Sequence, residues 1–409
     1  MHILIIISQF VILTLYFSRS MMCHSLIVRV VVSQARFVQI IKDLHQKTSN
    51  IFDDSLLFRF ENSGEAALPN AIVLECYNFS INDAILAQPS SIVSYGSEFK
   101  EPSNFQELLQ GHPHWDLFNK ILTKGATFPL NHISNDLRLQ DIMYHKERGN
   151  HKSAEMHNDA LASIIENDIV KGYALPLPPE ILLKIPNASL APLGCICQDS
   201  INEQGLKTSK FRMTHDQTFP GPSKLSVNLR VKKEELPPCM YSFVLCRVIH
   251  YIVSLRLRHP STRLYICKYD IDSAYRRCHL SGETGSECLT IYNNMLLMAL
   301  RMTFRGAPCP SLWGIISDTI ADTCNSLIHN PCWDHSLLYD HLSMTIDLPN
   351  LLPESIDFAP AQELAVDIPT NDVGKVDMYI DDTIGIALDL ADNVTRVQNA
   401  VPLVIKAFA

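Results

Sequence analysis

The chain has 409 residues, of which 47% are hydrophobic and 19% are charged. This composition is typical of folded globular proteins, and it excludes a fibrous or largely disordered chain. The length allows two or three domains, each with its own core. The formal net charge of −9, taken alone, argues against binding to nucleic acid.

The charge is unevenly distributed along the chain. Residues 200–280 hold 14 Lys and Arg against 6 Asp and Glu, a net charge of +8. Residues 333–392 hold 13 acidic residues and one basic residue, Lys375. A basic zone in an acidic protein is suited to a groove that binds a phosphate backbone. Chance clustering on a solvated surface gives the same pattern, and charge alone does not decide between the two.

The N-terminal segment of residues 1–20 begins with an apolar run, Met1–Ser18, that is similar to a signal-peptide core or a short membrane anchor. No basic residues precede this run, and no clear small-residue cleavage site follows it. We expect a buried helix or strand, or a misplaced start codon, more than an anchor.

The closest of the 12 cysteines, Cys195 and Cys197, are too near for a usual zinc site. These features favour an intracellular protein of the cytoplasm or nucleus.

Residues 21–185 are expected to form a largely helical N-terminal region. One helical face in this region carries four aliphatic side chains, namely Leu161, Ile164, Ile165 and Ile169. Gly172 is expected to end that helix. A Pro-rich joint at Leu175–Glu180 then leads to the main domain.

The main domain is predicted to follow the order hairpin, helix, strand, helix, hairpin. The predicted strands are Ser189–Cys197, Lys210–His215, a buried strand Leu264–Ile271, Val376–Ile380 and Ile384–Leu388. The predicted helices are Tyr241–Leu257 and Leu312–Ile328, and a polar turn is expected at Asn202–Gly205. This order indicates an α+β fold in which helices back an antiparallel sheet. Pro402 is expected to disturb the helix before Lys406.

Two segments place aspartates at the ends of predicted strands. The first reads Lys-Tyr-Asp270-Ile-Asp272, and the second reads Tyr-Ile-Asp381-Asp382. Primer extension by nucleotidyl transfer requires two Mg²⁺ ions roughly 3.5–4 Å apart. Because Mg²⁺ prefers carboxylate oxygens, the minimal protein contribution is two or three aspartates on a rigid sheet. An Asp-Asp pair at a turn is common by itself, so the pairing and order of the two segments carry the interpretation.

In this order the two segments resemble the palm motifs of reverse transcriptases, the templated DNA polymerases of retroelements. The family's first motif is an apolar strand, an Asp, four residues and an aromatic residue, and Asp270 and Tyr275 fit it. The resemblance implies that Asp270, the Ile271 carbonyl and Asp381 bind metal, and that Asp382 supports catalysis. Tyr275 would be the steric gate that selects deoxynucleotides.

Further motifs of the same family occur in the expected order. Lys210–Asp216 resembles the fingers strand that grips the triphosphate, with Lys210 and Arg212 as nucleotide-binding residues. Leu300–Trp313 resembles the glycine-proline motif ahead of a palm helix, where Gly306 is expected to bind nucleotide.

The glycine-proline motif departs from the family pattern, because the usual Pro-Phe-Gly is Thr303-Phe304-Arg305 here. If Arg305 occupies the glycine position, its side chain intrudes where template or nucleotide should lie. This departure indicates a decaying element.

The resemblance covers about Ser189–Asp389. It implies fingers at 186–250, a palm at 251–395 with an insertion near 330–375, and a truncated end at 396–409 without a thumb, since 27 residues follow Asp382. The expected partners are an RNA or DNA template with its primer, deoxynucleoside triphosphates and the remainder of a retroelement polyprotein. The expected cofactor is a pair of Mg²⁺ ions, for which Mn²⁺ is a possible substitute.

Three alternatives stay open at this point. Arg305 and the truncation favour a non-catalytic, nucleic-acid-binding remnant of such an element. The apolar N-terminus allows a membrane-associated protein. An RNA-templated RNA polymerase shares the palm aspartates, but Tyr275 argues against it because ribonucleotide enzymes need a smaller gate.

Overall fold

The chain combines helices with small, mostly antiparallel sheets, as the α+β prediction requires. The structure is a computed structural model that describes residues 2–6, 12–16, 28–31, 56–61, 63–89, 91–201, 205–335 and 371–408. Residues 1–57 and residues 58–409 form two separate units. Among the described residues, no helix combines the length and apolarity that a membrane crossing would need.

The first unit contains three strands, β1 (His2–Ile6), β2 (Ile12–Tyr16) and β3 (Val28–Val31). Strand β1 pairs antiparallel with β2 and parallel with β3. The apolar N-terminal run therefore contributes strands, one of the two conformations expected for it.

The second unit begins with a helical stretch and continues with alternating strands and helices. Its helices are α1 (Ser63–Cys76), α2 (Ile81–Leu86), α3 (Gln106–Leu109), α4 (Trp115–Lys124), α5 (Asn135–Arg148), α6 (Lys152–Met156), α7 (Asn158–Val170), α8 (Tyr241–Arg258), α9 (Gly282–Ser286), α10 (Cys309–His329) and α11 (Asn393–Phe408). Its strands are β4 (Ala174–Leu177), β5 (Leu193–Ile201), β6 (Lys207–His215), β7 (Leu264–Asp270), β8 (Leu289–Tyr292), β9 (Met295–Ala299), β10 (Gly374–Tyr379) and β11 (Asp382–Leu388).

Three antiparallel sheets contain the described strands of this unit. The sheet that carries both aspartate segments has the order β10-β11-β7, and a second sheet has the order β4-β9-β8. Strands β5 and β6 form a separate hairpin, as predicted, although β5 starts and ends four residues later than expected. Helices α8, α10 and α11 pack against the β10-β11-β7 sheet.

Helix α11 lies close to the sheet because glycines face it. A methyl group at Gly385 would lie 2.6 Å from Cys267 Sγ and 3.0 Å from Val397 Cγ1, and a methyl group at Gly374 would also collide with Val397. The predicted helix over Leu312–Ile328 is confirmed as α10. The residues that its apolar spacing assigns to the core are all buried, namely Leu312, Ile315, Ile316, Thr319 and Ile320.

Helix α8 confirms the prediction over Tyr241–Leu257. Its apolar spacing predicts a buried face that includes Phe243 and Ile252, and the observed buried face differs. Phe243 and Ile252 are only partly buried, whereas Arg247 is 4% exposed. The Arg247 guanidinium donates to both carboxylate oxygens of Asp377 on β10, at 2.7 and 2.6 Å. Removing one partner of such a buried pair typically costs roughly 3–5 kcal/mol, because the other charge stays buried and unpaired.

Three predictions of local structure are wrong. Leu175–Glu180 is no joint, because β4 pairs with β9, and an edge strand tolerates the missing N–H of Pro176. Strand β7 is not buried, because it is an edge strand of its described sheet and Ile266 is 61% exposed. Helix α11 continues through Pro402, whose side chain is exposed while its two neighbours are buried in the core.

Two further predictions fall where the structure gives no description. Residues 202–204 of the predicted polar turn lie outside the described residues. The same holds for residues 336–370, which make up most of the predicted insertion.

Candidate active site

Three aspartates from the two predicted segments converge at one end of the β10-β11-β7 sheet. Asp270, the last residue of β7, is paired across the sheet with Asp382, the first residue of β11. One carboxylate oxygen each from Asp270, Asp381 and Asp382 lies within 4.8 Å of the others. Asp270 and Asp381 are exposed and Asp382 is partly buried, so a cation can reach them from solvent.

The donor set of this site fits a hard divalent cation. Carboxylate oxygens are the ligands that Mg²⁺ and Mn²⁺ take from proteins, and no competing thiol or imidazole belongs to the set. The arrangement does not distinguish one such ion from another. Asp272, which follows Asp270 by two residues, has an 82% exposed side chain and lies outside the cluster.

The turn that presents Asp381 has an unusual backbone. Tyr379 and Asp382 are the last pair of the β10-β11 hairpin, so Ile380 and Asp381 form a two-residue loop. Ile380 has φ +58°, a left-handed conformation that is rare for a β-branched residue. Such conformations cost on the order of 1–3 kcal/mol and persist only where surrounding contacts enforce them.

Two hydrogen bonds enforce the conformation of this loop. The indole N–H of Trp313 on α10 donates to the Ile380 carbonyl oxygen at 2.7 Å. The backbone N–H of Ile271 donates to the Asp381 carbonyl oxygen at 2.8 Å. The second bond joins the two aspartate segments directly, so the position of Asp381 depends on the end of β7.

A lysine also belongs to the site. The Lys268 ammonium lies 2.8 Å from Asp382 Oδ1, and this contact raises the pKa of Lys268. Side chains two residues apart in a strand point to the same face, so Lys268 and Asp270 share one face of β7.

The predicted steric gate lies beside the glycine-proline segment. Tyr275 is in a short 3₁₀ helix, Ala274–Arg277, and its ring lies 5.9 Å from the Phe304 ring in an edge-on arrangement. Burial raises the pKa of Tyr275, with Cys309 adding to the shift, so the phenol stays protonated at neutral pH.

The turn at Arg305, where the sequence departs from the family pattern, has a strained backbone. Arg305 is exposed and has φ +77°, a conformation that glycine adopts without strain. Asn228 holds this turn by donating to the Arg305 carbonyl oxygen and accepting from the Ala307 N–H, both at 2.8 Å. Gly306 does not have positive φ, and it is buried against Cys309, Gln217 and Phe128.

The two predicted nucleotide-binding residues of the fingers are exposed on β6. Arg212 pairs in register with Ile196, and Lys210 pairs with Gln198. Across the described part of the chain, no hydrogen bond or ion pair joins either side chain to the aspartate cluster.

Sequence reasoning missed the roles of Lys268 and Trp313. The sequence could have placed Lys268 beside Asp270, because residues two apart on a predicted strand share one face. No sequence pattern links Trp313 to its partner Ile380, which is 67 residues away.

The fold and the site together define an α+β protein with an acidic, metal-compatible cluster on an antiparallel sheet. No protein-family model and no curated protein matches the sequence. The structure matches the native prototype foamy virus protease-reverse transcriptase with a TM-score of 0.32 and 10% sequence identity. The match covers 93% of this chain and 36% of that chain. A TM-score of 0.32 does not establish a shared fold.

Proposed function

We propose that the chain is an RNA-directed DNA polymerase module of a retroelement, with fingers and palm. The supporting observation is the convergence of Asp270, Asp381 and Asp382 at the end of one antiparallel sheet. In the sequence, Tyr275 follows Asp270 at the spacing of the family's first palm motif, and Tyr379 begins the Tyr-x-Asp-Asp motif.

Each site residue has a proposed role in nucleotidyl transfer. Asp270, Asp381 and the Ile271 carbonyl would hold Mg²⁺ or Mn²⁺, and Asp382 would support them. When bound, these ions lower the pKa of an attacking hydroxyl and neutralise charge on the phosphates. Tyr275 would exclude the 2′-hydroxyl of ribonucleotides.

The remaining contacts of the nucleotide are proposed for the fingers and the glycine-proline segment. Lys210 and Arg212 would bind the triphosphate, because cationic side chains on an exposed strand suit phosphate oxygens. Gly306 would form part of the floor beneath the nucleotide. The substrates would be a primed RNA or DNA template and deoxynucleoside triphosphates, and other parts of a polyprotein would complete the enzyme.

The test is primer extension on an RNA template with Mg²⁺ and deoxynucleotides, comparing the parent chain with Asp381→Asn. The matched control is Asp272→Asn, the same change on an exposed aspartate outside the cluster. Extension that is lost with Asp381→Asn and retained with Asp272→Asn would support the proposal. Equal extension by all three proteins would overturn it.

A second candidate is a non-catalytic, nucleic-acid-binding remnant, which the strained and exposed Arg305 favours. A remnant would bind primed duplexes with a steep dependence on salt but would not extend them. The comparison with Arg305→Gly separates the two candidates. If Arg305→Gly extends primers that the parent does not extend, the chain is an enzyme impaired at one position. If the variant still binds primed duplexes but does not extend them, the remnant is favoured.

A further inference from the structure

The contact between Lys268 and Asp382 places a positive charge inside the aspartate cluster. The Lys268 side chain is 61% exposed and the Asp382 side chain is 30% exposed. The electrostatic influence on Lys268 comes first from Asp382 and then from Asp270 and Asp381. The ammonium contacts Asp382, whose carboxylate lies within 4.8 Å of those of Asp270 and Asp381, so its charge is close to all three.

The sheet register explains why the ammonium meets Asp382 in particular. Asp270 pairs with Asp382, and Lys268 pairs with Ile384, which is two residues further along β11. Asp382 is therefore a diagonal cross-strand neighbour of Lys268 on the same face of the sheet, within reach of the long lysine side chain. Asp270 and Asp381 have no described ion pair, so the cluster has one neutralised carboxylate and two that are left for a cation.

We propose that Lys268 is a positioning residue, a tethered counterion that holds Asp382 and sets the affinity of the cluster for divalent metal. The ammonium leaves Asp270 and Asp381 as the metal ligands and keeps Asp382 beside them as a paired carboxylate. It also repels an incoming divalent cation. This inference rests on the proposed function, because it assigns a metal to the aspartate cluster.

The opposing reading is that the ion pair only stabilises the sheet. Exposed ion pairs contribute little to stability, and a purely structural pair would have little effect on metal binding. A counterion, in contrast, must be displaced or opposed whenever metal binds. Metal affinity is therefore a property that a structural role would not change.

The experiment is a titration of the full chain with Mn²⁺, followed by electron paramagnetic resonance of the free ion. Lys268→Met keeps the length of the side chain and removes its charge, and we expect Mn²⁺ to bind roughly fivefold tighter to this variant. Lys268→Arg retains the charge and should bind Mn²⁺ as the parent does. Lys120→Met removes one charge from an exposed lysine on α4 and controls for net charge.

A double-mutant cycle with Asp382→Asn tests the pairing itself. In the Asp382→Asn background, Lys268→Met should change Mn²⁺ affinity by less than half as much as in the parent. Unchanged or weaker Mn²⁺ binding by Lys268→Met, or an equal gain in Lys120→Met, would overturn the counterion role. If the parent and Lys268→Met both fail to bind Mn²⁺, the counterion role is overturned as well.

The same titration separates this inference from the proposed function. Asp270→Asn should abolish Mn²⁺ binding if the cluster is the metal site. Loss of binding in Asp270→Asn without any effect of Lys268→Met would overturn only the counterion. If Lys268→Met binds Mn²⁺ more tightly but the chain does not extend primers, the counterion role of Lys268 is supported and the proposed polymerase function is contradicted.

Discussion

The indole N–H of Trp313 donates a hydrogen bond to the Ile380 carbonyl oxygen at 2.7 Å. Trp313 is 1% exposed and lies in the first turns of α10, and Ile380 is the left-handed residue of the β10-β11 hairpin. The bond ties the buried helix α10 to the loop that presents Asp381. The position of that aspartate thus depends on a residue that has no metal-binding chemistry of its own.

The Trp313→Phe variant should weaken metal binding. The change keeps an aromatic ring in the core and leaves the partly buried Ile380 carbonyl without its partner, which costs about 0.5–1.5 kcal/mol. We expect the free energy of unfolding to fall by an amount in this range and Mn²⁺ affinity to fall severalfold. Urea unfolding and Mn²⁺ titration measure the two effects.

Trp333→Phe is the matched control for Trp313→Phe. Trp333 is also buried in the same core, where it packs against the Arg396 guanidinium. This variant should lose stability and retain Mn²⁺ affinity. If both variants weaken Mn²⁺ binding equally, the bond to Ile380 has no special role.

Arg305→Gly should stabilise the protein. The φ of +77° at Arg305 is strained for a residue with a Cβ atom and relaxed for glycine, so the gain should be on the order of 1 kcal/mol. The midpoint of urea unfolding measures it. Arg305→Ala removes the same charge and long side chain but keeps the Cβ, so it should give no such gain. An equal gain in both variants would assign the effect to the side chain and not to the backbone.

Asp318 on α10 should make stability depend on pH. Burial raises the pKa of Asp318 to about 7, with Asp322 and Asp377 adding to the shift and Arg247 opposing it. In an unfolded chain an aspartate has a pKa of about 3.9. Between about pH 4 and pH 7 the folded protein therefore holds a proton that the unfolded chain has released, and the free energy of unfolding falls as the pH rises.

Asp318→Asn removes this titration, so its stability relative to the parent should improve by at least about 1 kcal/mol between pH 4.5 and pH 8. Urea unfolding at the two pH values measures this difference. Ser317→Ala, at the adjacent buried and non-titrating position, should shift stability equally at both pH values. If the free energies of unfolding of the parent and Asp318→Asn change equally with pH, Asp318 is not the source of the pH dependence.

Local patterns in the sequence were sufficient to predict most elements around the site. The alternation of Val376 and Met378 predicted a strand, and the spacing of Leu312, Ile315 and Ile316 predicted a helix, because periodicity reports which face of an element is buried. The same reasoning was wrong for β7, since an apolar run does not show that a strand lies at a sheet edge. It also gave no reason to expect the buried Arg247 and Asp377, whose charges neutralise each other across the core.

The sequence by itself determined which residue types are present at the site and their order, namely Asp270, Tyr275, Arg305 and the Asp381-Asp382 pair. Only the tertiary structure decided that Asp270 lies opposite Asp382, that Lys268 contacts Asp382, and that Trp313 holds the hairpin. The physical reason is that strand register and long-range hydrogen bonds depend on how the whole core packs. A spacing along the chain carries no information about which strand becomes the neighbour of another.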